Sequence, residues 1–467
     1  MNPTLPSPPA ASTNPPEAAD RQHRWFVGTL SYTSTGIAMV FFWLLWGDFA
    51  WSLKERSVMS MVQLLLKKFE ASDLLTGLLI GTLPNAIAVI LQPVISYRSD
   101  RHRGRWGRRL PFLIWTTPIA ALGMIGLGFS PQLAATLHAT LGASSPGVNP
   151  LSLILFAVFW TLFEFGTLAA NVIFLGLIND IVPEGLLGRF FGLFRAMSLI
   201  AGIVFNYWIL AEAEEHYKAI FIGIGIIYGV GFLMMCFRVK EGEYPPPKAS
   251  DSPKPGNFAF AARTYLRECF SNPYYVWVFI GYNLCFVALA PINLFSLFFA
   301  KSLQMSMGDF GKLFAITYAI SLTLSYFLGV LADRFHPLRV GIVASALYAI
   351  FSLWGGFFIT DTLTFSIAFV AHGVLSGAFL TTTASFGQRL FPRARFAQFY
   401  SALMLVQAAG IMVVPLIIGA VLDYSHHNYR LTFVASGILS TLGVAACLVV
   451  HKRFMALGGP KNYQAPE

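Results

Sequence analysis

The chain has 467 residues, 12% charged and 56% hydrophobic, where an ordinary soluble domain is about a quarter charged; it cannot clothe itself in polar surface and is read as an integral membrane protein. The formal charge of +10 does not point to nucleic acid, because the basic residues lie in short loops between apolar runs rather than along one polar face. Cys236, Cys269, Cys285 and Cys447 have neither CxxC nor metal-ligand spacing, so no disulfide, metal or cofactor is expected.

Residues 1–35 come first. Their opening 22 are rich in Pro, Ala and Ser and lack the basic start and apolar core of a signal peptide, so the segment is expected to be a disordered or amphipathic cytoplasmic one. Twelve apolar runs follow, each of about the length a helix needs to cross hydrocarbon. Six span 36–65, 73–97, 110–130, 151–178, 190–211 and 219–237; six more span 273–299, 309–331, 340–360, 363–387, 398–422 and 431–451. Between them 238–272 is polar, with Pro245-Pro246-Pro247, Ser250, Asp251 and Pro253, and reads as a cytoplasmic linker. The expected architecture is all-α: twelve transmembrane helices in two six-helix bundles, 36–237 and 273–451, and a cytoplasmic tail over 452–467. Of the 32 basic residues, 24 fall on the side of the termini and six on the other. Basic loops are retained inside, which predicts a multi-pass protein of the cell membrane with both termini cytoplasmic.

The two halves repeat one another. Ser99-Asp100-Arg101 closes the second helix and runs on to Arg105, Gly107, Arg108 and Arg109; Asp333-Arg334 closes the second helix of the other half, 233 residues later. Pro183 with Arg189-Phe190 is echoed by Pro392 with Arg395-Phe396. Repeated halves of this kind are a transporter signature, with substrate held near mid-membrane between them. A carboxylate at a helix end pairs bidentately with neighbouring guanidinium groups, so Asp100 with Arg101, Arg105, Arg108 and Arg109 forms a candidate gating latch. The alternative is that these arginines only set topology and touch anionic lipid.

At these residues the chain resembles the major facilitator superfamily, whose loop between helices two and three reads G-x-x-x-D-R-x-G-R-R. Ser96 stands at the leading glycine. The form Ser99-Asp100-Arg101 through Gly107-Arg108-Arg109-Leu110-Pro111-Phe112 is similar to the sucrose and glycoside cation symporters of the glycoside–pentoside–hexuronide type, as are Gly47-Asp48-Phe49-Ala50 and Gln92-Pro93. The resemblance implies that the first and fourth helices line the central cavity, and that carboxylates on them bind sugar hydroxyls or the coupling ion.

An ionisable group among apolar residues costs about 2.5–3.5 kcal/mol on insertion scales and so faces a cavity or a partner. Glu164, in the middle of the fourth run, and Asp48, in the first, are the clearest cases. Either they bind sugar or proton, or they pair structurally with a cavity Arg or Lys. If the first helix continues through Lys54-Glu55-Arg56, then Asp48, Ser52 and Glu55 share one face and Arg56 lies beside it. Asn85, Gln92, Asn171, Asn206, Asn283 and Gln407 complete the polar candidates, each by itself a helix-to-helix hydrogen bond of about 0.6 kcal/mol. His372 is either a proton relay or a satisfied buried histidine. Gly311-Lys312 precedes Leu313 rather than Ser or Thr, so there is no ATP-binding loop, and no enzyme motif is found. The chain is therefore expected to be a monomeric secondary active transporter of a sugar or glycoside with a proton or sodium ion, embedded in the lipid bilayer, with no nucleic-acid partner. The competing readings are an efflux pump for amphipathic compounds and a non-transporting assembly or sensor protein.

Overall fold

The computed structural model describes residues 25–243, 265–392 and 395–466; the first 24 residues and most of the linker lie outside them. Trp25–Val27 (β1) and Leu30–Tyr32 (β2) pair antiparallel, Trp25 opposite Tyr32 and Val27 opposite Leu30, around Gly28 at φ +56°. A positive φ at the first loop position is what a two-residue hairpin turn requires. Residues 25–32 of the segment expected to be disordered or amphipathic thus form a hairpin. Thr29 Oγ1 accepts from the Glu243 amide at 2.8 Å, which ties the hairpin to the end of the first half.

Among the described residues, eleven helices are long and apolar enough to cross a membrane. One, Phe190–Arg238, has 49 residues, about 74 Å if straight against roughly 30 Å of hydrocarbon. It is broken by a π-helical turn over Phe205–Ile209 and by His216 at φ −111°, ψ 20°, and so makes two passes. The twelve helices of the first half and second half are α1 Ser34–Lys68, α2 Asp73–Arg101, α3 Leu110–Leu141, α4 Val148–Ile181, α5 Glu184–Val204, α6 Ala213–Arg238, α7 Pro273–Ser302, α8 Met307–Phe335, α9 Pro337–Phe358, α10 Thr362–Thr382, α11 Phe396–Tyr424 and α12 Arg430–Ala456.

Several boundaries differ from expectation for identifiable reasons. α3 continues to Leu141 through Pro131, so most of the outer segment expected over 131–150 is helix. Pro131 has no N–H for the Leu127 carbonyl; Ser130 Oγ supplies the missing donor at 2.8 Å. α10 stops at Thr382, short of the expected 387, and a separate short helix, Phe386–Leu390, follows. α1 does run through Lys54-Glu55-Arg56 without a break.

Lipid offers no hydrophobic drive for helices to associate, so close backbone approach over small residues holds them together. A Cβ on Gly123 would stand 2.6 Å from the Phe163 amide, and one on Gly281 would stand 2.8 Å from Cys447 Sγ; these are the α3–α4 and α7–α12 contacts at the heart of the two halves. Tyr275 donates to the Pro466 carbonyl and Tyr463 to that of Leu390, placing the chain's last described residues at the same end as the hairpin. We refer to this as the terminal end and to its opposite as the far end.

Candidate functional site

The first helix carries a layer of charge through the middle of the first half. Asp48 and Lys54 are both fully buried. Asp48 Oδ1 accepts from Ser52 Oγ at 3.3 Å, one turn on, while Oδ2 is buried without a hydrogen-bond partner. Glu55 is exposed and accepts from Trp51 Nε1 at 3.0 Å. The Arg56 guanidinium donates to Ser198 Oγ on α5 at 3.1 and 3.3 Å and lies 5.2 Å from the Tyr318 ring centre on α8, so it touches both halves. Glu164 on α4 is buried and lies within electrostatic reach of Lys54 and Glu55. Lys54, Glu55 and Glu164 thus lie within electrostatic reach of one another, with Arg56 next along α1 and Asp48 about two turns back toward the terminal end.

Between the halves, toward the terminal end, α2, α4 and α11 line a cavity of about 570 Å³. Asn85, Gln92 and Gln407 face it among apolar neighbours such as Val89, Leu168 and Leu405. Asn85 Nδ2 bonds the Gly81 carbonyl, and Gln407 Oε1 is without a partner. Leu168 lies one turn along α4 from Glu164, about 6 Å, so the charged layer sits just beyond the cavity's inner end. A few directional polar groups among apolar walls is the usual composition of a small-molecule site.

The other polar candidates stand apart. Asn171 is half-buried on α4. Asn206 donates to the Gly202 carbonyl and Asn283 to the carbonyls of Phe279 on its own helix and Leu403 on α11, with Oδ1 unpartnered in each. His372 bonds Tyr348 Oη through Nδ1 at 2.9 Å and Asn293 Oδ1 through Nε2 at 3.0 Å, so both ring nitrogens are engaged inside the second half.

The loop arginines organise the terminal end of the first half. Arg108 grips Asp180, at the end of α4, through two bonds of 2.7 and 3.0 Å, and Arg109 Nε bonds the same carboxylate. Arg109 also reaches Asp100 at 3.1 Å. The Glu241 carboxylate accepts from the backbone amides of Arg108, Arg109 and Leu110 at 2.9, 2.8 and 2.6 Å, capping the start of α3, where orphan amides and the helix dipole favour an anion. Gly107 has φ +97°, and a Cβ there would fall 2.6 Å from that carboxyl carbon. Arg105 is exposed, and Arg101 is engaged in contacts of its own. In the second half Asp333 lies 3.8 Å from Arg389, and Arg334 rests on the Phe335 ring. Asp180 and Glu241 were not anticipated; their signal was a carboxylate in the last turn of α4 and another three residues past the end of α6.

The halves meet at the far end. Asp423, closing α11, accepts from the backbone amides of Asp73 and Leu74 at 2.8 and 2.9 Å and so caps α2 from the opposite half. Asp73 accepts from His427 Nδ1 at 2.6 Å and Tyr429 Oη at 3.2 Å. Thr82 donates to the Met412 carbonyl at 2.7 Å, Gln63 donates to the carbonyls of Asn293 and Leu294, and Lys301 pairs with Glu214. Close approach makes this possible: a Cβ on Gly77 would meet the Pro415 carbonyl. The cavity is therefore sealed on this side and borders the terminal end.

Residues 65–449 match the family model described as MFS/sugar transport protein. The chain belongs to this family. It is a multi-pass membrane transporter of the major facilitator fold, not an enzyme. Among solved structures it is similar to a bacterial homologue of the human lysosomal transporter Spinster in an inward-facing, occupied conformation: 16% identity, 93% of this chain and 100% of that one, TM-score 0.68. A D-xylose–proton symporter aligns over 92% of this chain and 98% of its own at 14% identity and TM-score 0.65. A bacterial homologue of the iron transporter ferroportin, inward-facing, aligns over 89% and 99% at 13% and 0.64. At such identities these likenesses concern the fold. No curated protein sequence matches significantly.

Proposed function

We propose that the chain carries a sugar or glycoside across the cell membrane together with a proton, by alternating access, and that its termini are cytoplasmic, so the state described is open to the cytoplasm. The observation that carries this reading is the junction of two features. Asn85, Gln92 and Gln407 offer amide donors and acceptors of the kind that satisfy sugar hydroxyls, and the first half adds two buried carboxylates, Glu164, one turn along α4 from the lining residue Leu168, and Asp48 on α1, which has an oxygen without a partner. An ionised carboxylate without a counterion resists being closed off from water because desolvation disfavours its charge; taking up a proton removes that resistance and ties closure to the ion. The basic asymmetry of the loops supports the orientation.

The test is uptake of labelled disaccharides and glycosides into proteoliposomes under an imposed proton or sodium gradient. Accumulation is expected with an inward proton gradient and to vanish with a protonophore. Failure of every sugar under both gradients overturns the reading, and sodium-driven accumulation corrects the ion.

A further inference from the structure

We propose that His427, in the loop between α11 and α12, is a proton-binding site of its own: a proton taken up there from the medium on the far side fastens the seam between the halves and so favours the state open at the terminal end. This proton is distinct from a transported one, because it binds and leaves on one side only, and its effect does not depend on what is carried.

Asp73 opens α2 and belongs to the first half. Its side chain is only 2% exposed, so its charge has to be met inside the seam, and its partners come from the second half: His427 Nδ1 at 2.6 Å and Tyr429 Oη at 3.2 Å. A second carboxylate, Asp423 of α11, stands beside it; an oxygen of each carboxylate and a nitrogen of His427 all lie within 4.8 Å of one another. Asp423 is spent on the amides of Asp73 and Leu74, at a helix start that favours an anion. Tyr429, packed on the rings of Phe298 and Phe299 from α7, brings a neutral hydroxyl. Among the cations of the surrounding elements, Lys67 at the end of α1 lies 6.0 Å from the Phe298 ring centre, Lys301 of α7 pairs with Glu214, and His426 and Arg430 flank the loop in sequence. His427 is thus the bonded partner of Asp73 that is able to gain a charge near neutral pH.

A neutral imidazole with its hydrogen on Nδ1 already donates to Asp73. A further proton on Nε2 turns that bond into an ion pair, the stronger kind of contact. The ring is 57% exposed, so far-side water delivers the proton while the carboxylate it faces is dry. His426 and His427 both have positive φ, +55° and +61°, a conformation unfavourable for residues with a Cβ; with it the His427 amide reaches back to the Leu422 carbonyl at 2.8 Å and the ring reaches Asp73. Ring and carboxylate belong to opposite halves. Opening the far end therefore parts them and leaves His427 an ordinary solvated imidazole, near 6.5, whereas the closed seam holds the proton more tightly. By linkage the added hold is complete below about pH 6.5 and is lost as the pH rises past the point at which the closed seam gives the proton up.

Pulsed dipolar spectroscopy in nanodiscs, with no sugar and one pH on both faces, follows the balance directly. Labels at Ala139→Cys and Leu363→Cys, exposed at the far ends of α3 and α10, span the seam; labels at Val89→Cys and Leu405→Cys span the cavity toward the other end. The four native cysteines are buried. From pH 5.5 to 8.5 the ratio of far-end-open to far-end-closed molecules is expected to rise about tenfold, one unit of proton affinity, the low end of what a neighbouring opposite charge produces because this ring is largely exposed. The cavity pair is expected to move the opposite way. His427→Asn places a residue that tolerates the left-handed backbone and does not titrate; Asp73→Asn keeps the size of the partner and removes its charge. Each is expected to cut the rise about tenfold, and the two together to do no more than either alone, while His426→Asn and added EDTA are expected to leave it as it was. An unsubstituted background that does not titrate, a rise of full size in either the His427 or the Asp73 variant, or a seam distance that changes without the cavity distance overturns the proposal. So does a rise that collapses with EDTA, which would make the trio a metal site. Failure of sugar uptake with these curves intact would instead tell against the sugar assignment alone.

Discussion

At the far end a group of polar contacts crosses from one half to the other, whereas at the terminal end Arg108, Arg109 and Asp333 pair with carboxylates or guanidinium groups of their own half. Asp423 caps a helix of the opposite bundle, and Asp73 takes bonds from His427 and Tyr429. By contrast Arg108 and Arg109 are spent on Asp180, Asp100 and the Glu241-capped helix start, and Asp333 on Arg389. Arg108 and Arg109 therefore stiffen the first bundle in this state. The far end carries the contacts that hold the state itself. Mutations at the two ends should accordingly fail differently, one in stability and the other in the balance between states.

The largest effect is expected at Asp180. Its removal as Asp180→Ala takes the shared carboxylate from two guanidinium groups that are only 20% and 12% exposed, and breaking a pair of that burial costs about 3–5 kcal/mol. Thermal unfolding in detergent should show a drop of several degrees or more. A melting curve indistinguishable from wild type would mean the arginines find lipid or solvent equally well. Asp423→Ala should leave the melting temperature close to wild type yet open the far end. Losing a carboxylate cap on two amides costs about 1–2 kcal/mol, which shifts a two-state population by roughly 5–30-fold. Reactivity of Thr76→Cys, a change of little volume at a fully buried position of α2, toward a membrane-impermeant thiol reagent is the readout, and unchanged labelling would remove Asp423 from the seam.

Much of this plan was legible in the chain. Runs of apolar residues set twelve crossings because hydrocarbon thickness imposes a length, and the Asp100 and Asp333 loops declared the repeat. Asp48 and Glu164 stood out because charge among apolar residues is expensive. What stayed hidden is what tertiary contact decides. Pro131 reads as a helix stop, and only the hydroxyl of Ser130 beside the freed Leu127 carbonyl tells why the helix goes on. Asp180 and Glu241 look like ordinary polar helix ends until Arg108 and the start of α3 are brought against them. Lys54 sits in a row with Glu55 and Arg56, where it invites the reading of a solvated boundary; its isolation depends on Trp51, Tyr228 and Phe163, from three different helices, meeting around it.

The loop of the second half sharpens the comparison through pH. Where the first half has arginines, the second turns at His336, with φ +80° and Nδ1 accepting from the Leu338 amide at 3.3 Å. Burial first, and then the charges of Arg389, Arg339 and His451, hold this imidazole down to about 4 from its ordinary 6.5. The folded protein thus keeps it neutral while the unfolded chain protonates it, so stability falls as pH drops below about 6.5 and the loss levels off below about 4. His336→Asn keeps an acceptor for the Leu338 amide but does not titrate. Its melting temperature should depend on pH less steeply than wild type over pH 7 to 4.5, by an amount on the order of 1 kcal/mol; parallel curves would place the acid sensitivity elsewhere.

The smallest effect belongs to Asp333, and it tests whether the repeated motif does the same work twice. Its carboxylate is 74% exposed, its partner Arg389 is 52% exposed, and they stand 3.8 Å apart; Arg109, by comparison, is nearly enclosed at 3.1 Å from Asp100 and shares Asp180 with Arg108. An exposed pair gives up little on separation because water and salt already screen it, about 0–1 kcal/mol and less at high ionic strength. Asp333→Asn should therefore shift the melting temperature by a degree or less, with no change in spin-label distance across the cavity in the state open at the terminal end. A large loss of stability would mean that the second loop braces its bundle as the first does. A large change in the population of the opposite state, with stability intact, would show that Asp333 makes its main contact only after the terminal end has closed, where a helix of the other half could come within reach of it.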